Sequence, residues 1–407
     1  LPTASKTAPL TLPGRIPELD GLRGFAILLV VICHYIGIAD HAPLGFWIDR
    51  MLCVLNAGWS GVDLFFVLSG FLIGGILLDA RNSPQYFRAF YMRRVFRILP
   101  VYYLWILIFV FLVGVSVLFF PGRFPVTTKD FLQVPIQLFF LRNVFIGHMP
   151  IFAFIWFGVT WSLSVEEQFY LLAPPLIRFL STYRLVLALF AAILFAPLLR
   201  FLLVHYSSPQ GLGAAFFPMP CRADALAWGI LLAVAWRNPA IRTFLENHRL
   251  LLQRILWLLL LGVAALLWWL ARPFGLVTLT IGLSWLALFY SCLLLVVVSQ
   301  TDGPLASVMR WRWLRLLGAG SYCIYIVHSA FNRLAHLILL HSTPRIYDLR
   351  GLGVTLLALF LTLAVAALSW RFFEQPLLRR GHTYSFEERP AARVPASISV
   401  LQPPVQQ

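Results

Sequence analysis

Leu19-Asp20-Gly21-Leu22-Arg23-Gly24-Phe25-Ala26-Ile27-Leu28-Leu29-Val30-Val31-Ile32-Cys33-His34-Tyr35 is the stretch whose reading decides the fold. No charged residue lies between Arg23 and His34. Residues 20–38, wound as a helix rising about 1.5 Å per residue, cover about 28 Å, close to the hydrocarbon thickness of a bilayer. Working outward, comparable runs recur at 58–78, 97–120, 158–179, 184–204, 219–236, 255–271, 275–298, 317–340 and 351–371. The expectation is an all-α, polytopic transmembrane bundle of about ten helices. The stretch 121–157 holds the apolar segment 131–141 and is left open to a re-entrant or an interfacial helix.

Composition agrees. The 407 residues are 60% hydrophobic and 12% charged, against about 25% charged in a soluble domain. Once the apolar runs are removed, no soluble domain of useful size remains. A net charge of +16 raises the question of nucleic acid, but the basic residues sit in short clusters between apolar runs rather than in one patch. That distribution marks the cytoplasmic loops of a membrane protein, so no nucleic-acid partner is expected. Cys33, Cys53, Cys221, Cys292 and Cys323 show neither CxxC spacing nor a ligand cluster, and neither a disulfide nor a metal site is expected.

Of the 32 Lys and Arg residues, 21 fall in loops on one side of the proposed spans, 7 on the other and 4 within them. This bias places both termini in the cytoplasm. The corresponding division is a polar cytoplasmic segment 1–17, without the apolar core of a signal peptide, a transmembrane domain 18–378, and a disordered cytoplasmic tail 379–407. No inverted repeat is visible.

Charged and polar residues within spans carry the functional signal, because each costs roughly 2.5–3.5 kcal/mol at a helix centre. Asp20 is read as the N-cap of the first span. Arg23 and His34, 11 residues apart, lie three helical turns plus about 20° from each other, on one face with a rise of about 16 Å. An arginine at the mouth and an imidazole deep inside suit a donor with an anionic head and a reactive end; an interfacial anchor beside a satisfied histidine is the alternative. Cys33 points about 100° away from His34, which excludes a joint thiol–imidazole nucleophile. Arg94 and Arg97 face the same way and suit bidentate contacts to a pyrophosphate, although basic clusters at helix ends are also routine.

Ser164-x-x-Glu167 has the form of a capping box, which would give Glu167 a structural role and leave Glu166 without one. Glu166 is expected at the depth of His34, where a carboxylate would fix the imidazole tautomer. In the ninth span Ser321, Tyr325, His328 and Asn332 form one polar face. Arg222 and Asp224, two apart, each require a partner on another helix. Such faces line a wet cavity or serve helix–helix hydrogen bonding.

Together these segments resemble acyltransferase family 3, polytopic and mostly bacterial membrane O-acyltransferases. The resemblance rests on Leu19-Asp20-Gly21-Leu22-Arg23-Gly24 with His34, on Gly61-Val62-Asp63-Leu64-Phe65-Phe66-Val67-Leu68-Ser69-Gly70-Phe71, and on Arg94-x-x-Arg97. It continues through Trp161-Ser162-Leu163-Ser164-Val165-Glu166-Glu167-Gln168-Phe169-Tyr170, Arg222-Ala223-Asp224, and Ser321-Tyr322 to His328. These motifs occur in the family's order across residues 18 to 375.

The resemblance implies transfer of an acyl group, usually acetyl, from cytoplasmic acyl-CoA to a hydroxyl of a carbohydrate or glycolipid, in the bacterial cytoplasmic (inner) membrane. His34 would be the general base and Glu166 its partner. Arg23, Arg94 and Arg97 would hold the donor's phosphates. Asp20, Asp63, Ser69, Trp161, Tyr170, Arg222, Asp224, Ser321, Tyr325 and His328 are the candidate cavity or supporting positions. Some relatives carry an extracytoplasmic hydrolase-like domain after the bundle, which is not expected here; transfer would then be direct or completed by a separate protein. The mechanistic expectation is a tunnel, with the donor entering from the cytoplasm and the acceptor from the other side. A transporter or flippase of a lipid-linked sugar explains the buried charges as well, but not the Arg23–His34 spacing. A sensor or scaffold explains neither.

Overall fold

The structure is a computed structural model describing residues 16–37, 45–145, 149–206, 211–270 and 274–387. Most of the expected polar segment 1–17, and the tail from residue 388 onward, lie outside the described residues. Among the described residues every regular element is helical.

Helix α1 (Pro17–Ile32) begins with Pro17 in its first turn, where a missing N–H costs nothing, and passes into a π-helical turn at Cys33–Gly37. Asp20 therefore lies one turn inside the helix and is not its N-cap, a correction to the sequence reading. Helices α2 (Phe46–Asn56) and α3 (Gly61–Asp79) are joined by a 3-10 turn at Ala57–Ser60. Helix α4 (Tyr86–Phe119) has 34 residues, about 51 Å of helix. It starts 11 residues before the expected span, so Arg93, Arg94 and Arg97 sit on a rigid helix rather than in a loop.

The stretch left open at 121–157 resolves into a 3-10 turn and two short helices, α5 (Gln133–Leu138) and α6 (Ile151–Phe157). Buried Asp130 accepts hydrogen bonds from the backbone amides of Thr127 and Ala153, at 2.8 and 2.9 Å. Gln137 accepts from the hydroxyls of Tyr102 and Thr160, both at 2.9 Å. These bonds fasten the insertion onto α4 and onto α7 (Trp161–Phe179). Because α7 starts at Trp161, Ser164 lies within its first turns. Its hydroxyl donates to the Thr160 carbonyl at 3.3 Å, so there is no Ser164–Glu167 capping box. Glu167 keeps a buried carboxylate oxygen without a partner among the described residues.

The chain continues through α8 (Thr182–Tyr206), α9 (Gly211–Phe216), α10 (Ala223–Trp236), α11 (Pro239–Asn247), α12 (Arg249–Leu270), α13 (Leu283–Ser299), α14 (Pro304–Met309), α15 (Arg312–Leu340) and α16 (Leu349–Ser369). A π-helical turn at Trp370–Glu374 leads into α17 (Gln375–His382). The tail was expected to begin at 379, but α17 extends past that point and residues 383–387 pack on α4: Arg93 donates to the Tyr384 carbonyl at 2.9 Å.

Nine helical stretches among the described residues are long and apolar enough to cross a membrane. They match the expected spans apart from 158–179. That span is α7, whose 19 residues include Glu166, Glu167 and Arg178. The protein is a multi-pass membrane protein with α1, α3, α10, α13 and α15 packed centrally, while α8 and α12 leave most of their apolar surface facing outward. Two glycine contacts set the central spacing. A Cβ on Gly24 of α1 would strike the Leu314 carbonyl of α15, and one on Gly229 of α10 would strike the Val67 carbonyl of α3. Small residues at these points let the backbones meet directly, as bundles in lipid require.

Candidate functional site

A wide mouth of about 610 Å³ opens between α1, α4 and α17. Asp20, Arg23, Arg93, Arg94 and Arg97 line it, together with Phe90, Trp370, His382 and Phe386. Arg94 and Arg97 are one turn apart on α4 and so present their guanidiniums to the same space. Arg23 pairs with Asp20 at 3.8 Å, whereas neither Arg94 nor Arg97 has an ion-pair partner among the described residues. The Arg94 guanidinium packs 5.8 Å from the Phe90 ring centre and 5.7 Å from that of Tyr170, and its buried Nε has no hydrogen bond among the described residues. Buried cationic donors left unsatisfied fit an anionic ligand bearing phosphate oxygens.

The mouth narrows into an inner pocket that shares Arg23, Arg94 and Arg97 with it and is lined further by Ser69, Ser162, Glu166, Tyr170, Ser321 and Tyr325. Glu166 accepts from the Ser69 hydroxyl at 2.8 Å and from the Tyr170 hydroxyl at 3.2 Å. It makes no hydrogen bond to His34, so the expected His34–Glu166 partnership is corrected: Glu166 belongs to the arginine-lined pocket.

His34 is held by a different set of contacts. Its Nδ1–H donates to the Val30 carbonyl at 2.9 Å, which leaves the lone pair on Nε2. Its ring meets that of His328 edge to face, with centroids 4.8 Å apart. His328 is fully buried; its Nδ1–H donates to the Tyr325 carbonyl at 2.7 Å and its Nε2 has no partner among the described residues. Two reciprocal bonds lock the helices here. The Tyr35 hydroxyl donates to the His328 carbonyl at 3.0 Å, and the Asn332 amide donates to the His34 carbonyl at 3.1 Å. A π-turn inside an α-helix often marks a functional position. Here it ends α1, and the His34 carbonyl within it accepts the Asn332 amide of α15.

The remaining candidates support the walls. Arg222 and Asp63 form a buried pair at 2.7 Å, and Arg200 and Asp224 another at 2.9 Å, so both charged members of the Arg222-Ala223-Asp224 motif find their partners on other helices. The Arg222 guanidinium lies over the rings of Phe66, Trp161 and Phe216. Asp63, Trp161, Arg222 and Asp224 line neither pocket; Arg222, at the start of α10, holds Asp63 of α3 and the Trp161 ring of α7, while Asp224 holds Arg200 of α8. Ser321 faces the pocket and donates to the Gly318 carbonyl at 2.9 Å.

The site is thus two centres joined through Tyr325, which lines the inner pocket and lies 5.7 Å, ring to ring, from His328. Sequence reasoning missed Ser162 as a site residue although it stood inside a quoted motif. It also missed the wall of the mouth formed by His382 and Phe386, in a stretch whose polar composition suggested a tail.

Comparison with known proteins agrees with this architecture. The model of the acyltransferase domain family matches residues 16–371. The chain is 29% identical to the putative peptidoglycan O-acetyltransferase YrhL of Bacillus subtilis, over 92% of this chain and 56% of that protein. It is 26% identical to the peptidoglycan O-acetyltransferase OatA of Listeria monocytogenes, over 91% and 57% of the two chains. Identity to the O-acetyltransferase OatA of Staphylococcus aureus is 24%, over 91% and 58%. The chain therefore spans a little over half the length of these relatives. No solved structure matches it. With a matching region that covers all but the ends of the bundle and contains both arginine and histidine centres, the chain belongs to the acyltransferase domain family.

Proposed function

We propose that this protein transfers an acetyl group from acetyl-CoA to a hydroxyl of a cell-envelope carbohydrate, with His34 as general base. The observation that carries the reading is the continuity of the cationic mouth with the inner pocket, both lined by Arg23, Arg94 and Arg97. A nucleotide-bearing donor would place its phosphates on these arginines and extend its pantetheine arm along α1 toward His34, about 16 Å of helix rise beyond Arg23. His34 Nε2, with Nδ1–H committed to the Val30 carbonyl, is in the tautomer a base requires.

The orientation follows the charge bias of the loops: the mouth faces the cytoplasm, where acyl-CoA is made, and the acceptor approaches from the other side in a bacterial inner membrane. The names of the relatives make peptidoglycan-type amino sugars the first acceptors to test. Family membership and the tautomer of His34 favour acyl transfer over a carrier for lipid-linked sugars. The test is incubation of the protein in nanodiscs with acetyl-CoA and peptidoglycan fragments, monitored by free CoA release and mass spectrometry of the glycans. Acetylated glycan with stoichiometric CoA supports the reading. Binding of glycan with no CoA release favours the carrier.

A further inference from the structure

Two hydroxyls of the inner pocket lie against each other. Ser162, at the start of α7, and Tyr325, on α15, both line it, and their oxygens are 2.5 Å apart. Both also reach one main-chain oxygen: the Tyr325 hydroxyl donates to the Val159 carbonyl at 3.1 Å, and the Ser162 hydroxyl lies 3.5 Å from the same atom. At 2.5 Å the two hydroxyls are hydrogen-bonded to each other, and with the Tyr325 proton on the Val159 carbonyl it is Ser162 that donates to the Tyr325 oxygen. His328 lies one helical turn further along α15 and anchors its Nδ1–H on the carbonyl of Tyr325 itself.

We infer that Tyr325 is a catalytic residue that donates to the oxyanion of the acyl transfer, its hydroxyl exchanging the Val159 carbonyl for the thioester oxygen, and that Ser162 is a positioning residue that donates to the Tyr325 oxygen. The inference rests on the function proposed above. In the step, His34 Nε2 removes the acceptor's hydroxyl proton while the hydroxyl oxygen forms a bond to the thioester carbon. The carbonyl π electrons move onto oxygen, where the Tyr325 hydroxyl, held by Ser162, donates to it. Collapse of this intermediate restores the C=O, breaks the C–S bond, and the departing thiolate takes the proton from His34. The products are the ester and the free thiol of CoA.

Donors already aligned on an oxygen need little reorganisation as charge develops, which is the origin of their effect. Both hydroxyls project from rigid helices, and Tyr325 is braced by contact of its ring with Phe65, centroids 6.3 Å apart.

The experiment compares wild type, Tyr325→Phe and Ser162→Ala in nanodiscs, measuring kcat for acetyl transfer and the Kd for CoA. Removing one oxyanion donor costs on the order of 10²-fold in kcat. Tyr325→Phe should lose that factor with CoA affinity unchanged, and Ser162→Ala should lose part of it. Fluorotyrosines at position 325 retain the ring and hydroxyl, so kcat that varies with phenol acidity supports a donor to developing charge even if the phenylalanine variant fails to fold. Wild-type kcat in Tyr325→Phe, or a flat fluorotyrosine series, overturns the assignment while leaving the proposed function standing. A wild type that binds acetyl-CoA and glycan yet turns over neither overturns both.

Discussion

The rings of His34 and His328 meet edge to face at 4.8 Å, on helices from opposite ends of the chain, and each directs its Nδ1–H to a main-chain carbonyl on its own helix. Both rings thus carry their lone pair on Nε2. Among the described residues neither has a carboxylate partner; the backbone fixes both tautomers. His328→Ala should leave CoA binding intact and lower kcat by at least tenfold, because His34 loses the ring that fixes its orientation. His328→Gln, which keeps polarity without the ring, should recover little. Equal kcat in both variants and wild type would remove His328 from the reaction centre.

Arg94 and Arg97 are predicted to act on the donor alone. A charge-assisted hydrogen bond contributes about 1.5–3 kcal/mol, so Arg94→Ala or Arg97→Ala should weaken CoA binding by roughly tenfold to a hundredfold. Calorimetry in nanodiscs reads this directly, and dephospho-CoA supplies a control for the phosphate. Unchanged affinity in both variants contradicts the assignment of the mouth.

The Asp63–Arg222 pair predicts a stability effect. Both side chains are buried, and removing one partner strands the other charge, at about 3–5 kcal/mol. Asp63→Ala should lower the melting temperature in detergent sharply. Asp63→Ala combined with Arg222→Leu should recover much of the loss, because the stranded charge is gone. A double variant no better than the single would show that the ion pair itself is what α3 and α10 require.

Gly24 tests the packing of α1 on α15. Any Cβ there meets the Leu314 carbonyl, and overpacking typically costs about 1–3 kcal/mol. Gly24→Ala should destabilise the protein and, by shifting the α1–α15 contact, lower kcat more than it weakens CoA binding. A melting temperature and kcat equal to wild type would contradict this contact.

Most of the fold was legible in the sequence because lipid imposes one rule, that spanning backbone be helical, and the apolar runs record it directly. The arginine face was equally legible, since Arg23 and the Arg94–Arg97 pair each follow from periodicity within one helix. What the sequence did not disclose were contacts between helices. Glu166 was expected beside His34, yet it lies four residues, about 6 Å along α7, beyond Ser162, in the arginine-lined pocket rather than beside the histidine. The helix starts were misplaced for a local reason: Asp20 and Ser164 have the chemistry of caps, but Pro17 and Trp161 already stand in helix ahead of them. The wall at His382 and Phe386 was hidden because its anchoring partners, Arg93 and Phe96, are nearly three hundred residues away.

The most direct test of the central claim is transfer of labelled acetyl from acetyl-CoA to peptidoglycan fragments by wild type and His34→Ala, at equal CoA occupancy. A general base contributes about 10²–10⁴-fold. The account predicts acetylated glycan from the wild type and at least a hundredfold less from the variant, with CoA affinity unchanged. Equal product from the two proteins would contradict it.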